Sequence, residues 1–280
     1  GPEVYKNKVI QDIYEPGSVF KPIAMAAAID AKEVTPTTRH FASGPLKVDE
    51  FEIHTFNATY NGWQTMTQVL ERSSNTGMAF VAQKLGRNLF YNYIKKFGFG
   101  ERTDIELENE ESGYIEYFTD WAESELVTHG FGQGISVTPL QMIMGLGAIA
   151  NKGVLMKPYI IDKIVDPSTG SVQITEPKKI EQVISPDSAK TITSMLVSTI
   201  ENGIKTARID NHYIAGKSGT AQTYKGGRAL KGVGTTMTTF AAFAPIDDPQ
   251  FIILAKIDRP KTTPWAEGAV VPVFKDIATF

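Results

Sequence analysis

The chain has 280 residues, of which 42% are hydrophobic and 21% are charged, and its formal net charge is −3. This length and apolar content suit one large domain or two lobes that share a cleft. The slight acidic excess argues against a surface built for nucleic acid or anionic lipid and favours small or uncharged ligands. The absence of cysteine excludes a catalytic thiol, a disulfide framework and thiolate metal sites.

The apolar runs of the sequence are too short to cross a membrane, and the longest, Ile23–Ile29 and Phe251–Ala255, have the length of core segments. The chain starts with Gly1-Pro2 and stops inside the helix-like stretch "FKDIATF". We therefore expect a segment of a longer protein, with a tag remnant at its start.

The first half of the chain has a mainly helical pattern. Helical segments are predicted around Thr65–Arg72, Met78–Phe97 and Pro139–Asn151, and glycines and polar turns separate them. We expect residues 23–155 to form a mainly helical sublobe, with residues 1–22 leading into it.

A hairpin and a further helix are predicted next. The stretch "VDPSTGSV" (165–172) lies between β-rich flanks and is typical of a hairpin turn. A helix that runs to about Asn202 is predicted next. Its start is marked by Ser185 as N-cap, Pro186 in the first helical position and Asp187 in the first turn.

Three strand-like runs follow: "HYIAGKSGTAQT", "MTTFAAFAPI" and "FIILAKID". Helices that are segregated from consecutive strands predict an α+β fold with an antiparallel sheet. We therefore interpret residues 1–280 as a single domain in which residues 156–280 form the sublobe that bears the sheet.

The stretch "YEPGSVFKP" (14–22) places Ser18 and Lys21 three residues apart before an apolar helix. This spacing puts both side chains on one helix face, roughly 5–6 Å apart at Cβ. An amine that burial keeps neutral can accept the proton of a serine hydroxyl, which is otherwise a poor nucleophile. However, one S-x-x-K match is expected by chance in a chain of about this length.

Two further motifs strengthen this interpretation. "SSN" places Ser73 and Asn75 just after a helical pattern, and "KSGT" places Lys217 in a strand-like run, with Gly219 where another backbone must approach closely. Taken singly, helix-end capping explains Ser73 and Asn75, and an exposed charge on an edge strand explains Lys217. Three such patterns in this order rarely coincide by chance.

The order S-x-x-K, S-x-N, K-[ST]-G marks the penicillin-recognising serine enzymes. Longer stretches, namely "EPGSVFKP", "SSNTGM", "HGFGQGISVTPLQM", "ANKGV" and "AGKSGTAQ", resemble the transpeptidase domain of class B penicillin-binding proteins, and the division-type members more than the elongation-type ones. The resemblance implies a β-lactamase/transpeptidase-like α+β fold, in which helices cover an antiparallel sheet and a cleft separates the sheet from an all-helical lobe.

The resemblance also implies a peptidoglycan D,D-transpeptidase that works through a serine acyl-enzyme and is acylated by β-lactams. Ser18 would attack the carbonyl between the two terminal D-alanines of a stem peptide, and Lys21 would accept its proton. Ser73 and Lys217 would relay a proton to the departing D-alanine. Asn75 would hold the peptide amide and Lys21.

For substrate binding, the resemblance implies an oxyanion hole made by the backbone N–H groups of Ser18 and Thr220. Ser218 and Thr220 would hold the substrate carboxylate, helped by the charge of Lys217. The stem would bind as an added strand along the strand-like run that carries Lys217 and Gly219. No cofactor and no metal are implied.

The implied location is the extracytoplasmic face of the bacterial cell membrane, with an anchor in the full-length protein. The implied partners are a peptidoglycan stem peptide as donor, an amine acceptor, β-lactams, a SEDS-type glycosyltransferase and divisome proteins, and no nucleic acid.

Two alternatives stay open, a β-lactamase and a β-lactam sensor without turnover. A class A β-lactamase keeps a carboxylate for water in an E-x-x-L-N motif, whereas Glu108 here precedes Asn109, so we interpret "DIELENEES" (104–112) as a solvated acidic loop.

The remaining motifs predict little chemistry. The glycines of "GFGQG" (130–134) lack dinucleotide-binding spacing, the four histidines lack ligand spacing, and "KGGRALKG" (225–232) reads as a mobile solvated hairpin.

The chain departs from the family at its start. Family domains carry two strands and a helix before S-x-x-K, whereas seventeen residues precede Ser18. We therefore predict a truncated sheet, built mainly from strands after residue 212, with reduced stability.

Overall fold

A computed structural model of the chain describes residues 5–55, 58–222, 224–225, 228–229 and 232–279. Its helices are α1 (Lys8–Gln11), α2 (Lys21–Asp30), α3 (Met66–Glu71), α4 (Asn75–Leu85), α5 (Arg87–Lys96), α6 (Glu123–His129), α7 (Pro139–Ala150), α8 (Pro186–Ser198) and α9 (Ala266–Ala278). Shorter turns are the 3₁₀ turns Gly17–Phe20 and Lys205–Ala207 and the π turn Thr199–Gly203. No helix in these described ranges combines the length and apolarity that crossing a bilayer requires.

The strands are β1 (Arg39–Ala42), β2 (Leu46–Val48), β3 (Phe51–Ile53), β4 (Gly62–Thr65), β5 (Val154–Met156), β6 (Lys163–Val165), β7 (Val172–Ile174), β8 (Lys179–Gln182), β9 (Ala215–Gln222), β10 (Tyr224–Lys225), β11 (Arg228–Ala229), β12 (Thr236–Ala244) and β13 (Phe251–Asp258). They form one three-stranded sheet and several two-stranded ribbons.

The central sheet is antiparallel, with β12 between β13 and β9. All three of its strands follow residue 212, as the prediction of a truncated sheet required, and the described part of the chain contains no five-stranded sheet. Strand β9 is therefore an edge strand, whose second edge is not paired by another strand of the described residues.

Both faces of β12 are buried, each against a different apolar cluster. Ala241 and Phe243 belong to the large core formed with the helical lobe. Phe240 and Ala242 belong to a second cluster with α9, where the rings of Phe240 and Phe274 lie 4.7 Å apart. Because alternate residues of a strand point to opposite faces, the second half of β12, from Phe240 to Ala244, is a continuous apolar run.

Helix α2 is the centre of the helical lobe. Its residues from Ile23 to Ala28 are fully buried, and its run of alanines lets α4, α5, α7 and α8 pack around it. The helix that follows Lys21 is thus enclosed by protein on all sides, which fixes the position of the lysine at its start.

Several predicted elements are confirmed. Residues 163–174 form the β6–β7 hairpin, in which Asp166 Oδ1 accepts a hydrogen bond from Ser168 N at 2.8 Å. The Ser185 side chain caps α8 by accepting from Ser188 N, and Pro186 opens the helix.

Other predicted elements differ in detail. The segment predicted as helical over Met78–Phe97 is two helices, because Gly86 between α4 and α5 has a φ of +68°, a conformation that costs glycine little. Residues 39–42 and 62–65, within the predicted helical sublobe, form the ribbon β1–β4, and residues 46–53 form the ribbon β2–β3. In "KGGRALKG", β10 pairs with β11, while Gly226, Gly227, Leu230 and Lys231 lie outside the described residues.

Candidate active site

Ser18 lies in the 3₁₀ turn Gly17–Phe20, and α2 begins only at Lys21. The expectation that Ser18 occupies the first turn of the α-helix is therefore wrong. Gly17 has a φ of +56°, and this left-handed residue starts the turn. Because residues i and i+3 eclipse in a 3₁₀ helix, Ser18 and Lys21 still point to the same side.

The side chain of Lys21 is 0% exposed, and its contacts connect the first motif to the second. Nζ donates to Ser73 O at 2.6 Å, Ser73 Oγ at 3.1 Å and Asn75 Oδ1 at 2.8 Å. Burial, and then the positive charge of Lys217, hold the pKa of Lys21 well below its usual value. A neutral amine beside the Ser18 turn is the protonation state that a general base needs.

The geometry of the second motif comes from its backbone. Ser73 has a φ of +51°, which reverses the chain between α3 and α4. Ser74 caps the start of α4 by accepting from Gly77 N. Ser73 ends α3 through its left-handed backbone, with Ser73 N donating to Leu70 O and Ser74 N to Val69 O, so the capping interpretation holds for the backbone of Ser73 and not for Asn75. Asn75 Nδ2 donates to His54 O at 2.9 Å, which orients its Oδ1 towards Lys21.

Lys217 lies on edge strand β9 and is only 1% exposed, so its interpretation as an exposed surface charge is wrong. Its Nζ donates to Ser218 O at 2.8 Å. Burial lowers the pKa of Lys217 to about 7, against the opposing effect of the Glu267 carboxylate. Lys217 is opposite Ala241, which belongs to the core shared with the helical lobe, so its side chain points towards the side of Ser18 and Lys21.

Gly219 lies where the nucleophile turn packs against β9. A Cβ at this position would be 3.2 Å from Val19 Cγ1 and 3.3 Å from Val19 N. A Cβ on Gly17 would likewise be 3.8 Å from Ala221 Cβ. The predicted close approach of a backbone to Gly219 is therefore made by this chain's own Ser18 turn.

Ser218 and Thr220 alternate with Lys217 along β9, so they point to the opposite face. Ser218 is opposite Phe240, which packs against α9. Thr220 Oγ1 accepts a hydrogen bond from Ala266 N at 3.2 Å, at the start of α9. The predicted roles of these two hydroxyls in binding a carboxylate stay predictions.

The structure corrects one interpretation of the acidic loop. Glu110 is buried, and its carboxylate accepts from Thr103 N at 2.9 Å, Thr103 Oγ1 at 2.6 Å and Asp104 N at 3.0 Å. It is a structural carboxylate in a loop that we predicted to be solvated throughout.

Sequence reasoning missed two contributors to the site, the carbonyl of His54 and the carboxylate of Glu267. The first acts through its backbone, which leaves no residue-type signal. The second lies 50 residues beyond Lys217 and reaches it only because α9 packs against the sheet.

The chain is similar to known proteins over nearly its whole length. The family model described as "Penicillin binding protein transpeptidase domain" matches residues 2–279. Stage V sporulation protein D of Bacillus subtilis is 35% identical over 96% of this chain and 42% of its own length. Peptidoglycan D,D-transpeptidase FtsI of Escherichia coli is 30% identical over 97% of this chain and 44% of its own length. The chain thus spans less than half of these two relatives.

Solved structures share the fold. The chain matches penicillin-binding protein 3 of Mycobacterium tuberculosis, complexed with aztreonam, with a TM-score of 0.88 and 32% identity over 98% of this chain and 63% of the other. The apo transpeptidase domain of Burkholderia pseudomallei penicillin-binding protein 3 gives a TM-score of 0.87 and 26% identity over 99% of this chain and 81% of the other.

Proposed function

Because this chain belongs to the class B penicillin-binding protein transpeptidase family, we propose that it is the catalytic part of a peptidoglycan D,D-transpeptidase and a covalent target of β-lactams. The observation that carries the proposal is the turn that bears Ser18, which leads directly into Lys21 and packs against the strand of Lys217. Both lysines are buried and their pKa values are lowered. A lowered pKa favours the neutral form of an amine, which can accept and return the protons that acyl transfer moves.

In the first half-reaction, Ser18 Oγ attacks the carbonyl between the two terminal D-alanines of a stem peptide. Lys21 takes the hydroxyl proton. A neutral amine has two hydrogens, so it can keep only two of the three donations that Nζ makes, to Ser73 O, Ser73 Oγ and Asn75 Oδ1. Release of the third makes its lone pair available for this proton. The oxyanion is held by the N–H groups of Ser18 and Thr220.

The C–N bond then breaks, and the leaving D-alanine receives a proton through Ser73, which contacts Lys21, and through Lys217. The product is an ester of Ser18. In the second half-reaction an amine of another stem attacks this ester, the base system accepts the amine proton, and Ser18 regains its hydroxyl hydrogen as the cross-link forms.

The donor stem binds along β9, whose outer edge is unpaired by other described strands. Main-chain hydrogen bonds to a free strand edge hold an extended peptide in a fixed register. Ser218 and Thr220 are the proposed ligands of its terminal carboxylate. Their side chains lie on the face of β9 opposite Lys217, so their hydroxyls reach the carboxylate around the free edge of the strand, and Gly219 keeps the strand close to Ser18.

The full-length protein acts on the extracytoplasmic side of the bacterial membrane, to which a further segment anchors it. A SEDS-type glycosyltransferase that supplies the glycan strands and divisome proteins are its proposed partners.

Covalent labelling with a fluorescent penicillin tests the proposal. The parent chain should be labelled, Ser18→Ala should abolish labelling, and Lys21→Ala should slow it by about 10²–10⁴, the usual contribution of a positioned base. Ser168→Ala, on the exposed β6–β7 hairpin, and Lys47→Ala, exposed on β2, are matched controls that should be labelled like the parent. Persistent labelling of Ser18→Ala would show that the nucleophile lies elsewhere.

The two alternatives are separated by following the acyl-enzyme over time, with and without an acceptor amine. A transpeptidase should release the adduct formed from a stem-peptide mimic faster when the amine is present. Rapid hydrolysis of the drug would favour a β-lactamase, and a durable adduct without turnover of the mimic would favour a sensor.

A further inference from the structure

The residues immediately before Ser18 are bound to a loop that the mechanism above does not use. Tyr14 and Val137 exchange two backbone hydrogen bonds, of 2.9 and 3.0 Å. Gly17 N donates to Gly132 O at 2.9 Å. Two residues ahead of Ser18, Tyr14 and Gly17, are thus tied to residues 132–137 by three backbone hydrogen bonds.

Contact between the two segments is as close as two backbones allow. Gly132 has a φ of +78°, and a Cβ on it would lie 2.3 Å from Gly17 O, 2.8 Å from Gly17 N and 2.8 Å from Phe20 Cβ. No other residue type fits this position without moving the turn that carries Ser18.

The carboxylate of Glu15 adds a side-chain bond between the same segments. Its Oε1 accepts from Gly134 N at 3.1 Å, although the side chain is exposed. Glu15 lies three residues before Ser18, so this bond holds the chain just ahead of the turn.

The loop of residues 132–137 is in turn held by the side chain of His129, which is 2% exposed. The ring packs at 4.4 Å from the Trp121 ring, and Nε2 donates to Gly134 O at 3.2 Å, since a carbonyl oxygen can only accept. Both backbone groups of Gly134 are therefore engaged, one by His129 and the other by Glu15.

We propose that residues 129–134 form a clamp that holds the Ser18 turn in the geometry of acyl transfer, and that Glu15 and His129 are positioning residues of this reaction. The proposal rests on the proposed function and extends it to residues that do not touch the substrate. Displacement of a reacting group by about 1 Å can cost on the order of 10² in rate, so a clamp of this kind acts on the rate of acylation rather than on binding.

The test measures acylation by a fluorescent penicillin over a range of concentrations, which separates the rate at saturation from the concentration of half-saturation. Glu15→Ala, an exposed position, should lower the rate at saturation by about 3- to 10-fold, the value of one hydrogen bond, with half-saturation and the midpoint of thermal unfolding unchanged. Glu15→Gln, which keeps an acceptor oxygen for Gly134 N, should recover most of the rate. Glu176→Ala, an exposed glutamate with no side-chain hydrogen bond or ion pair among the described residues, is the matched control and should react like the parent.

Parent-like acylation of Glu15→Ala, with the parent labelled at Ser18, would overturn the clamp and leave the proposed function intact. A loss that appears only in half-saturation, or that Glu15→Gln does not recover, would also overturn it. Absence of labelling in the parent would overturn the proposed function and the clamp together.

Discussion

Acidification is expected to destabilise this fold through His129, because burial lowers the pKa of its imidazole from 6.5 to about 4. Between these two values the unfolded chain binds a proton that the folded chain does not. The free energy of unfolding therefore falls as the pH falls through this window, and the contribution is constant above 6.5.

The magnitude follows from the size of the lowering. One pKa unit corresponds to about 1.4 kcal/mol, so a pKa lowered from 6.5 to about 4 corresponds to a loss of about 3 kcal/mol by about pH 4. The hydrogen bond to Gly134 and the negative charge of Glu125 raise the pKa and oppose the effect of burial. They are weaker than burial because the ring is almost fully enclosed.

Other titrating groups act mostly in a different window. Hydrogen bonds lower the pKa values of Asp49 and Asp166. Burial raises the pKa of Asp30, but its hydrogen bonds outweigh this effect, so its pKa is lowered as well. These carboxylates stabilise the fold above their unfolded pKa, and that stabilisation is lost mainly below about pH 4. His40 acts in the same direction as His129, because burial lowers its pKa too. The assay therefore needs a difference between two proteins.

Urea unfolding at a series of pH values, on the parent and on His129→Gln, provides that difference. Glutamine does not titrate and can still donate to Gly134 O, so the variant should lose about 3 kcal/mol less than the parent between about pH 7 and pH 4. His212→Gln, at an exposed position, should keep the slope of the parent. An equal slope in parent and His129→Gln would refute the assignment, and NMR titration of the His129 ring in the parent gives an independent reading.

Two further substitutions test the packing around the site. Gly132→Ala should lower the free energy of unfolding by more than about 2 kcal/mol, since it combines a left-handed φ with a clash against Gly17; a variant as stable as the parent in urea would contradict the close approach. Asp30→Ala removes the acceptors for Ser185 N at 2.7 Å and Tyr93 Oη at 2.8 Å. The free energy of unfolding should therefore fall by about 2–4 kcal/mol. Its rate of labelling by penicillin should stay that of the parent, and a change in that rate at unchanged stability would contradict a purely structural role.

The sequence predicted those helices and strands whose position depends on the residues of the element itself. Ser185 and Pro186 mark the start of α8 because a cap and a fixed φ need no distant partner. Two of the late strands, β12 and β13, were recognisable because apolar and β-branched residues dominate them. The break at Gly86 was missed, since an apolar pattern continues across it and only the φ of one glycine divides the helices.

The site was predicted as three motifs, and the structure brings Lys21, Ser73 and Asn75 into contact, with Ser18 in the turn that leads into Lys21. What spacing did not predict is burial. Lys217 was compatible with an exposed edge-strand charge until the packing of β9 was known, because nothing in "AGKSGTAQ" states which face is covered. Residues that act on the site through backbone carbonyls or from another element, such as His54 and Glu267, leave no local pattern at all.

The site also has a consequence for how the protein folds. Its parts lie far apart along the chain: Lys21 bonds to Asn75 across 54 residues, Glu15 to Gly134 across 119, and the Ser18 turn packs against a strand that starts at Ala215. Contacts between such distant segments require large loops to close, and chains rich in them fold slowly. Reactivity towards penicillin should therefore arise at the end of folding, so that labelling during refolding counts only the molecules that have completed it.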